Sequence, residues 1–258
     1  MATAIRHDMA RRTPAGMAEA EWGARQQLAA CYRVFDHLGW VESIYNHITL
    51  RVPGEDSFLI NPFGLMYAEV TASNLIKIDI DGNRLSDSPW EVNLAGFTQH
   101  ATFHRDLPDA HCVMHTHTTA GMAVACSEGG LETSSFYAGQ LAGRVAYHDF
   151  EGVTVRGEEG PRLIANLGAR RMMILRNHGL LVMGPTVPAA FLNMFLLQRA
   201  CEIQIASAAL GPRRIIPDDV LAVHQRDAVK IQRLDSLGEL DFAAYVRMVD
   251  RKDPSWRD

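Results

Sequence analysis

Lysine is almost missing from this 258-residue chain: of its 25 lysine and arginine residues, only Lys77, Lys230 and Lys252 are lysine. A Schiff-base catalyst needs a lysine desolvated among apolar neighbours. Lys252 lies in a polar tail, Lys230 in a charged helical stretch, and Lys77 alternates outward on a strand, so none qualifies. If the protein handles carbonyl compounds, its electron sink must be a metal. Cysteine is also sparse. Cys31, Cys112, Cys126 and Cys201 are scattered in apolar contexts with no Cys-x-x-Cys, which reads as reduced core residues of a cytoplasmic protein. Met1 to Pro14 carries Arg6, Arg11 and Arg12 but no apolar run, so neither a secretory signal nor a membrane partner is expected. A net charge of -5 and the lack of any basic run give no electrostatic reason to expect nucleic acid. No repeat, low-complexity segment or dividing linker breaks the chain.

What is present is ordinary core-forming material, 47% hydrophobic, in alternating periods. Helical spacing runs through Leu28, Cys31, Tyr32, Phe35 and Leu38, with Gly39 as the stop, and predicts a packing helix over 20–38. Alternation over 44–51, a Pro53-Gly54 turn and a partner over 57–61 predict a hairpin. Leu75 to Ile80 reads as a strand, and Trp90 to Arg105 as a helix burying Trp90, Leu94, Phe97, Ala101 and His104. Residues 119–126, 161–167, 187–210, 218–234 and 241–248 carry further helical patterns.

Eleven histidines include one His-x-His, His115-Thr116-His117, at the end of an apolar run. On a strand, residues two apart share a face, so both imidazoles could aim at one point. Spacing alone makes this a weak motif, with a chance pair the more ordinary reading. Met172 to Gly184 reads as two buried strands joined by a tight Asn177-His178-Gly179 connection. His178 is either a turn histidine bonded to nearby backbone or the third member of a three-histidine shell. Such a shell keeps an open position and suits catalytic zinc, manganese or iron.

The runs 107–117 and 175–181, together with Tyr45-Asn46-His47-Ile48-Thr49-Leu50-Arg51, Ile60-Asn61-Pro62-Phe63-Gly64-Leu65 and the helix bearing Gln198-Arg199-Ala200-Cys201-Glu202, resemble the class II aldolase/adducin family from about Glu21 to Leu210. The resemblance implies a single α/β domain, three-layer α/β/α around a central mixed, mostly antiparallel sheet. It divides the chain into a flexible N-terminal arm (1–16), the family domain (17–212) and a C-terminal helical extension (213–258). It makes His115, His117 and His178 the ligands of a divalent metal, zinc in first place with manganese or iron as alternatives. It also implies a homo-oligomer, a tetramer, working on a small-molecule substrate.

By the same resemblance, Asn46 and Gly64 are substrate-binding, although Asn46 is equally a satisfied core amide on the face of Ile44 and Ile48. Where sugar-phosphate members carry hydroxyl donors, this chain has Phe63 and Leu94-Ala95. Unpaired phosphate oxygens in a dry pocket cost roughly 1 to 3 kcal/mol per lost partner, so a non-phosphorylated substrate, aromatic or carboxylated, is expected. Nineteen residues before His115, true aldolases place an acid–base glutamate, and this chain has Gly96, which also frees room beside the metal. His148 and Glu151 are the expected replacements, and His100, one turn on from Gly96, could share its face. The expected function is metal-dependent aldol cleavage or decarboxylation of a non-phosphorylated hydroxy or keto acid. A non-haem iron oxygenase and a non-catalytic adducin-like interaction module are the alternatives.

Overall fold

A computed structural model describes residues 13–155, 157–232 and 236–258. The proposed arm therefore lies mostly outside the described residues, as does Leu234 at the end of one predicted helix. Seven strands, β1 (His47–Arg51), β2 (Ser57–Ile60), β3 (Ile76–Asp79), β4 (Cys112–Thr116), β5 (Val145–His148), β6 (Met172–Leu175) and β7 (Gly179–Gly184), form one sheet in the order β3-β2-β1-β4-β7-β6-β5. Every pairing is antiparallel except β5 with β6. The eight helices among the described residues are α1 (Glu19–Leu38), α2 (Leu94–Asp106), α3 (Thr119–Ala125), α4 (Phe136–Leu141), α5 (Gly160–Leu167), α6 (Val187–Ala208), α7 (Asp218–Ile231) and α8 (Glu239–Lys252). The layered α/β architecture around a mixed sheet is as expected.

Strand periodicity sorts the layers. Met114, Ile174, Leu180 and Val182 face a core with Tyr32 and Phe35 of α1, Val124 of α3, Phe191 and Leu197 of α6, and Phe242 and Val246 of α8. Their sequence neighbours Val113, Met173, Leu181 and Met183 point the other way, onto Phe103 of α2 and Leu163 and Leu167 of α5. One alternating pattern thus buries both faces, as two-sided coverage of a sheet requires. His115 shares the side of Val113, and His47 lies directly opposite it in the β1–β4 register.

Local differences from the sequence reading have identifiable causes. The 90–105 helix starts at Leu94, because the Asn93 side chain accepts from the backbone N–H of Ala95 and Gly96 and so caps it. Trp90 and Leu94 are consequently exposed. Cys126 is exposed rather than buried, since it sits at the C-terminal end of α3. Lys77 does not point freely outward: its ammonium lies 2.9 Å from Glu21 and 2.6 Å from Glu55. Burial works against that charge, but the hydrogen bonds to Glu21 and Glu55 hold it above the ordinary lysine range. The segment after residue 212 docks on its own chain. His224 pairs with the carbonyl of Phe136, and Trp256 is fully buried, with its carbonyl accepting from the N–H of Ala72. No described helix is long and apolar enough to cross a membrane.

Candidate metal centre

The three signature histidines converge. β4 ends at Thr116, and Thr118 caps α3 by accepting from the N–H of Gly121, so His117 sits one residue past the strand, where the chain turns. His178 is brought in from the β6–β7 turn. Asn177 there adopts φ 56, a left-handed conformation asparagine tolerates better than most residues. Gly179 lets that turn press against β4, for a Cβ on it would fall 2.3 Å from the Thr116 carbonyl oxygen. The ring centroids are 4.6 Å apart for His115–His117, 4.7 Å for His115–His178 and 4.8 Å for His117–His178. One nitrogen from each ring lies within 4.8 Å of the others.

The chemistry of this donor set suits a cation. His115 Nδ1 is 2.9 Å from the Leu180 carbonyl, which can only accept, so this ring carries its proton on Nδ1 and turns a bare Nε2 toward His117. Burial pushes His115 well below the usual histidine range and His178 down to about 4. Burial also lowers His117, against the pull of Glu42. Three neutral imidazoles with one open side fit a divalent ion of the zinc type.

The cluster opens into a cavity of about 650 Å³. Tyr45, Phe63, Leu94, Met122, Phe150 and Val153 make its wall largely apolar, and no lysine or arginine occurs among the described residues lining it. Gln99 and Thr154 line it as well, and Gln99 Oε1 and Thr154 Oγ1 are buried with no partner among the described residues.

The other expected site residues lie elsewhere. His148 ends β5 with Nε2 3.2 Å from Glu159 and Nδ1 2.8 Å from the Asn166 amide, while Glu151 pairs with Arg162. Neither lines the cavity, because both are spent on the layer around α5; from the same stretch it is Phe150 and Gly152 that reach it. Asn46 is buried and does not line the cavity, and both its side-chain polar atoms lack a partner among the described residues. Gly64, at φ 107, backs onto Trp90 while Phe63 faces the cavity. The room expected beside Gly96 is filled: a Cβ there would fall 2.6 Å from the His47 ring.

Behind that ring runs a buried chain. His47 Nδ1 is 3.0 Å from His100 Nε2, and Thr49 Oγ1 is 2.8 Å from His100 Nδ1 and 2.7 Å from His104 Nε2. His104 Nδ1 reaches the Ala110 carbonyl at 2.8 Å. His47 was legible only as part of a family stretch. The usable signal was register: residues two apart on β1 facing residues four apart on α2.

Burial holds His47 and His104 down to about 3, from an ordinary 6.5, and holds His100 well below the usual histidine range as well. The unfolded chain therefore binds more protons than the folded one below pH 6.5, and stability is lost as pH falls from there toward 3. In metal-free protein, the urea midpoint is expected to drop between pH 7 and 5, a window in which most carboxylates stay ionised. A flat midpoint across it would contradict neutral burial of these rings.

Known proteins resemble this chain over most of its length. The family model for the class II aldolase and adducin N-terminal domain matches residues 26–205. A Pseudomonas aeruginosa protein named only as an aldolase of class 2 is 43% identical over 254 residues, covering 97% of this chain and 98% of its own. Alpha-adducin of Rattus norvegicus is 41% identical over 241 residues, 88% of this chain but 33% of that longer protein. Among solved structures, an aldolase II superfamily protein from Pseudomonas syringae superposes with TM-score 0.88 at 38% identity, covering 94% of this chain and 98% of that one. The L-fuculose 1-phosphate aldolase of Glaciozyma antarctica gives 0.81 at 26%, covering 97% and 98%.

Proposed function

This chain belongs to the class II aldolase and adducin family, and from that premise we propose that it is a metal-dependent carbon–carbon lyase acting on a non-phosphorylated hydroxy or keto acid, by aldol cleavage or decarboxylation. The observation that carries the reading is three imidazole nitrogens within 4.8 Å of one another on the wall of a largely apolar cavity. His115, His117 and His178 would hold a divalent cation, zinc first among the candidates, which when bound would supply the positive charge that polarises a substrate carbonyl.

The chain's own residues do the rest. Tyr45, Phe63, Phe150 and Val153 present apolar surface that holds a hydrocarbon or aromatic part of the substrate and keeps water away. Gln99 Oε1 is an acceptor awaiting a donor, and Thr154 Oγ1 a hydroxyl free to give or take one, so both select for polar groups on the substrate. Phe63, Leu94 and Ala95 offer a phosphate no side-chain donor.

The test is a panel of 2-hydroxy, 3-hydroxy and 2-keto acids with aromatic or alkyl tails, against fuculose 1-phosphate, on zinc-loaded protein. Turnover of an acid, with the sugar phosphate slower by at least about thirtyfold, is expected from the loss of two or more phosphate partners. Sugar-phosphate cleavage at ordinary enzyme rates would overturn the reading.

A second reading, an interaction module that does no chemistry, is favoured by one observation: Gly96 in a chain 41% identical to an adducin. It requires that His115→Ala leave metal content unchanged. Oxygen uptake by protein purified without added metal would instead point to ferrous iron on the same three histidines.

A further inference from the structure

The hydrogen-bonded chain behind the metal centre fixes the protons of four groups in turn. The Ala110 carbonyl only accepts, so His104 Nδ1, 2.8 Å away, carries the proton and His104 Nε2 is bare. Thr49 must therefore donate its hydroxyl proton to that nitrogen across 2.7 Å. Its oxygen then accepts from His100 Nδ1 at 2.8 Å, which strips His100 Nε2. That nitrogen takes the Nδ1 proton of His47 at 3.0 Å, and His47 Nε2 is left with a lone pair. Every link is buried. Because the far end is a carbonyl that cannot receive a proton, the chain acts as a lock on ring tautomers and not as a wire.

His47 is placed to use that lone pair. Its Cα lies opposite that of His115, the two ring centroids are 5.2 Å apart, and it lines the cavity. Its ring edge, Cδ2 and Nε2, lies against Gly96, where any side chain would displace it. Nε2 makes no hydrogen bond to a described residue.

We infer that His47 is a fourth imidazole of the site, its Nε2 held bare by the His100–Thr49–His104–Ala110 chain so that it accepts a hydrogen bond from a hydroxyl of the substrate seated beside the three-histidine cluster. This rests on the lyase reading for the identity of the hydroxyl. The tautomer lock itself does not depend on that reading. His47 is thus a fixed acceptor, and Thr49, His100 and His104 are positioning residues that act through it.

The experiment is two-bond proton–nitrogen correlation on protein labelled with 15N in its imidazoles, which separates Nδ1–H from Nε2–H rings. His47, His100 and His104 are all expected as Nδ1–H forms in the metal-free protein, and an Nε2–H form at His47 overturns the inference. Thr49→Val keeps the volume and removes the hydroxyl, so His47 is expected to become a mixture of tautomers, whereas Thr49→Ser should retain the single form. A single unchanged tautomer in Thr49→Val would show that the chain is not its cause. Should Thr49→Val fail to fold, the wild-type and Thr49→Ser spectra decide alone.

Adding glycolate, the smallest 2-hydroxy acid, to zinc-loaded protein is expected to move the His47 Nε2 resonance toward lower frequency while its Nδ1–H persists. An unmoved Nε2 resonance overturns the acceptor role. If no acid is turned over while these tautomers hold, the lyase reading fails and the lock stands.

Discussion

His178→Ala is expected to weaken zinc binding severely while leaving the protein folded. Structural zinc sites bind with an apparent free energy of about 10 to 16 kcal/mol, shared over their ligands, so loss of one nitrogen in three should weaken zinc by roughly 3 to 5 kcal/mol, about a few hundredfold to several thousandfold. His178 suits this test better than His115. It sits on the β6–β7 turn and is only partly buried, whereas His115 is 1% exposed and its Nδ1 satisfies the Leu180 carbonyl, so trimming it also opens a hole in the sheet layer. Competition with a chromophoric chelator measures the loss, and far-ultraviolet circular dichroism should not change. Zinc affinity within about threefold of wild type would remove the three-histidine centre, and the proposed lyase with it.

Gly179→Ala should be the most damaging small substitution near the site. The new methyl would meet the Thr116 carbonyl oxygen at 2.3 Å and the His117 ring at 3.1 Å. The first contact is backbone of a central strand paired on both sides, so it cannot rotate away, and β4 and β7 must part. Overpacking of this kind costs about 3 kcal/mol or more. The same separation draws His178 away from His117, so zinc affinity should fall together with the urea midpoint. Gly23→Ala is the control. It lies within α1 with no atom of a described residue within 4 Å of the added carbon beyond its chain neighbours and its own helix backbone, and alanine should stabilise that helix by up to about 1 kcal/mol. A Gly179→Ala protein as stable as Gly23→Ala would show that β4 and β7 have slack there.

Cross-strand register explains both expectations. The cluster is assembled by β4 and by the turn into β7, two strands paired in the sheet but some sixty residues apart in the chain, and its tolerance is set by how closely those backbones approach. Charge contributes little, since the described cavity lining has no lysine or arginine and Glu42 is its only carboxylate. Polar side chains on the lining include Gln99, Thr154 and His47, on α2, in the loop after β5 and on β1 respectively, together with Asn93 and Asn177.

The sequence by itself marked most of the elements, though not α4, and its family resemblance singled out the cluster. Continuous apolar runs in 112–116 and on both sides of Asn177-His178-Gly179 marked the central strands, the helical periods marked α1 and α6, and the family stretches singled out His115, His117 and His178. These signals are local: a strand face or helix stripe is written in consecutive residues, and the signature runs carry their own spacing. What only the tertiary structure decided is where distant faces meet. His148 and Glu151 looked available because nothing in their own stretch shows that Glu159, Asn166 and Arg162 come back to bind them. The space credited to Gly96 belongs to His47, fifty residues earlier, and the link from that ring through His100, Thr49 and His104 exists only because β1 lies under α2 in one register. Hydrogen bonds between elements depend on ångström-scale packing, which residue order constrains only once the sheet has closed.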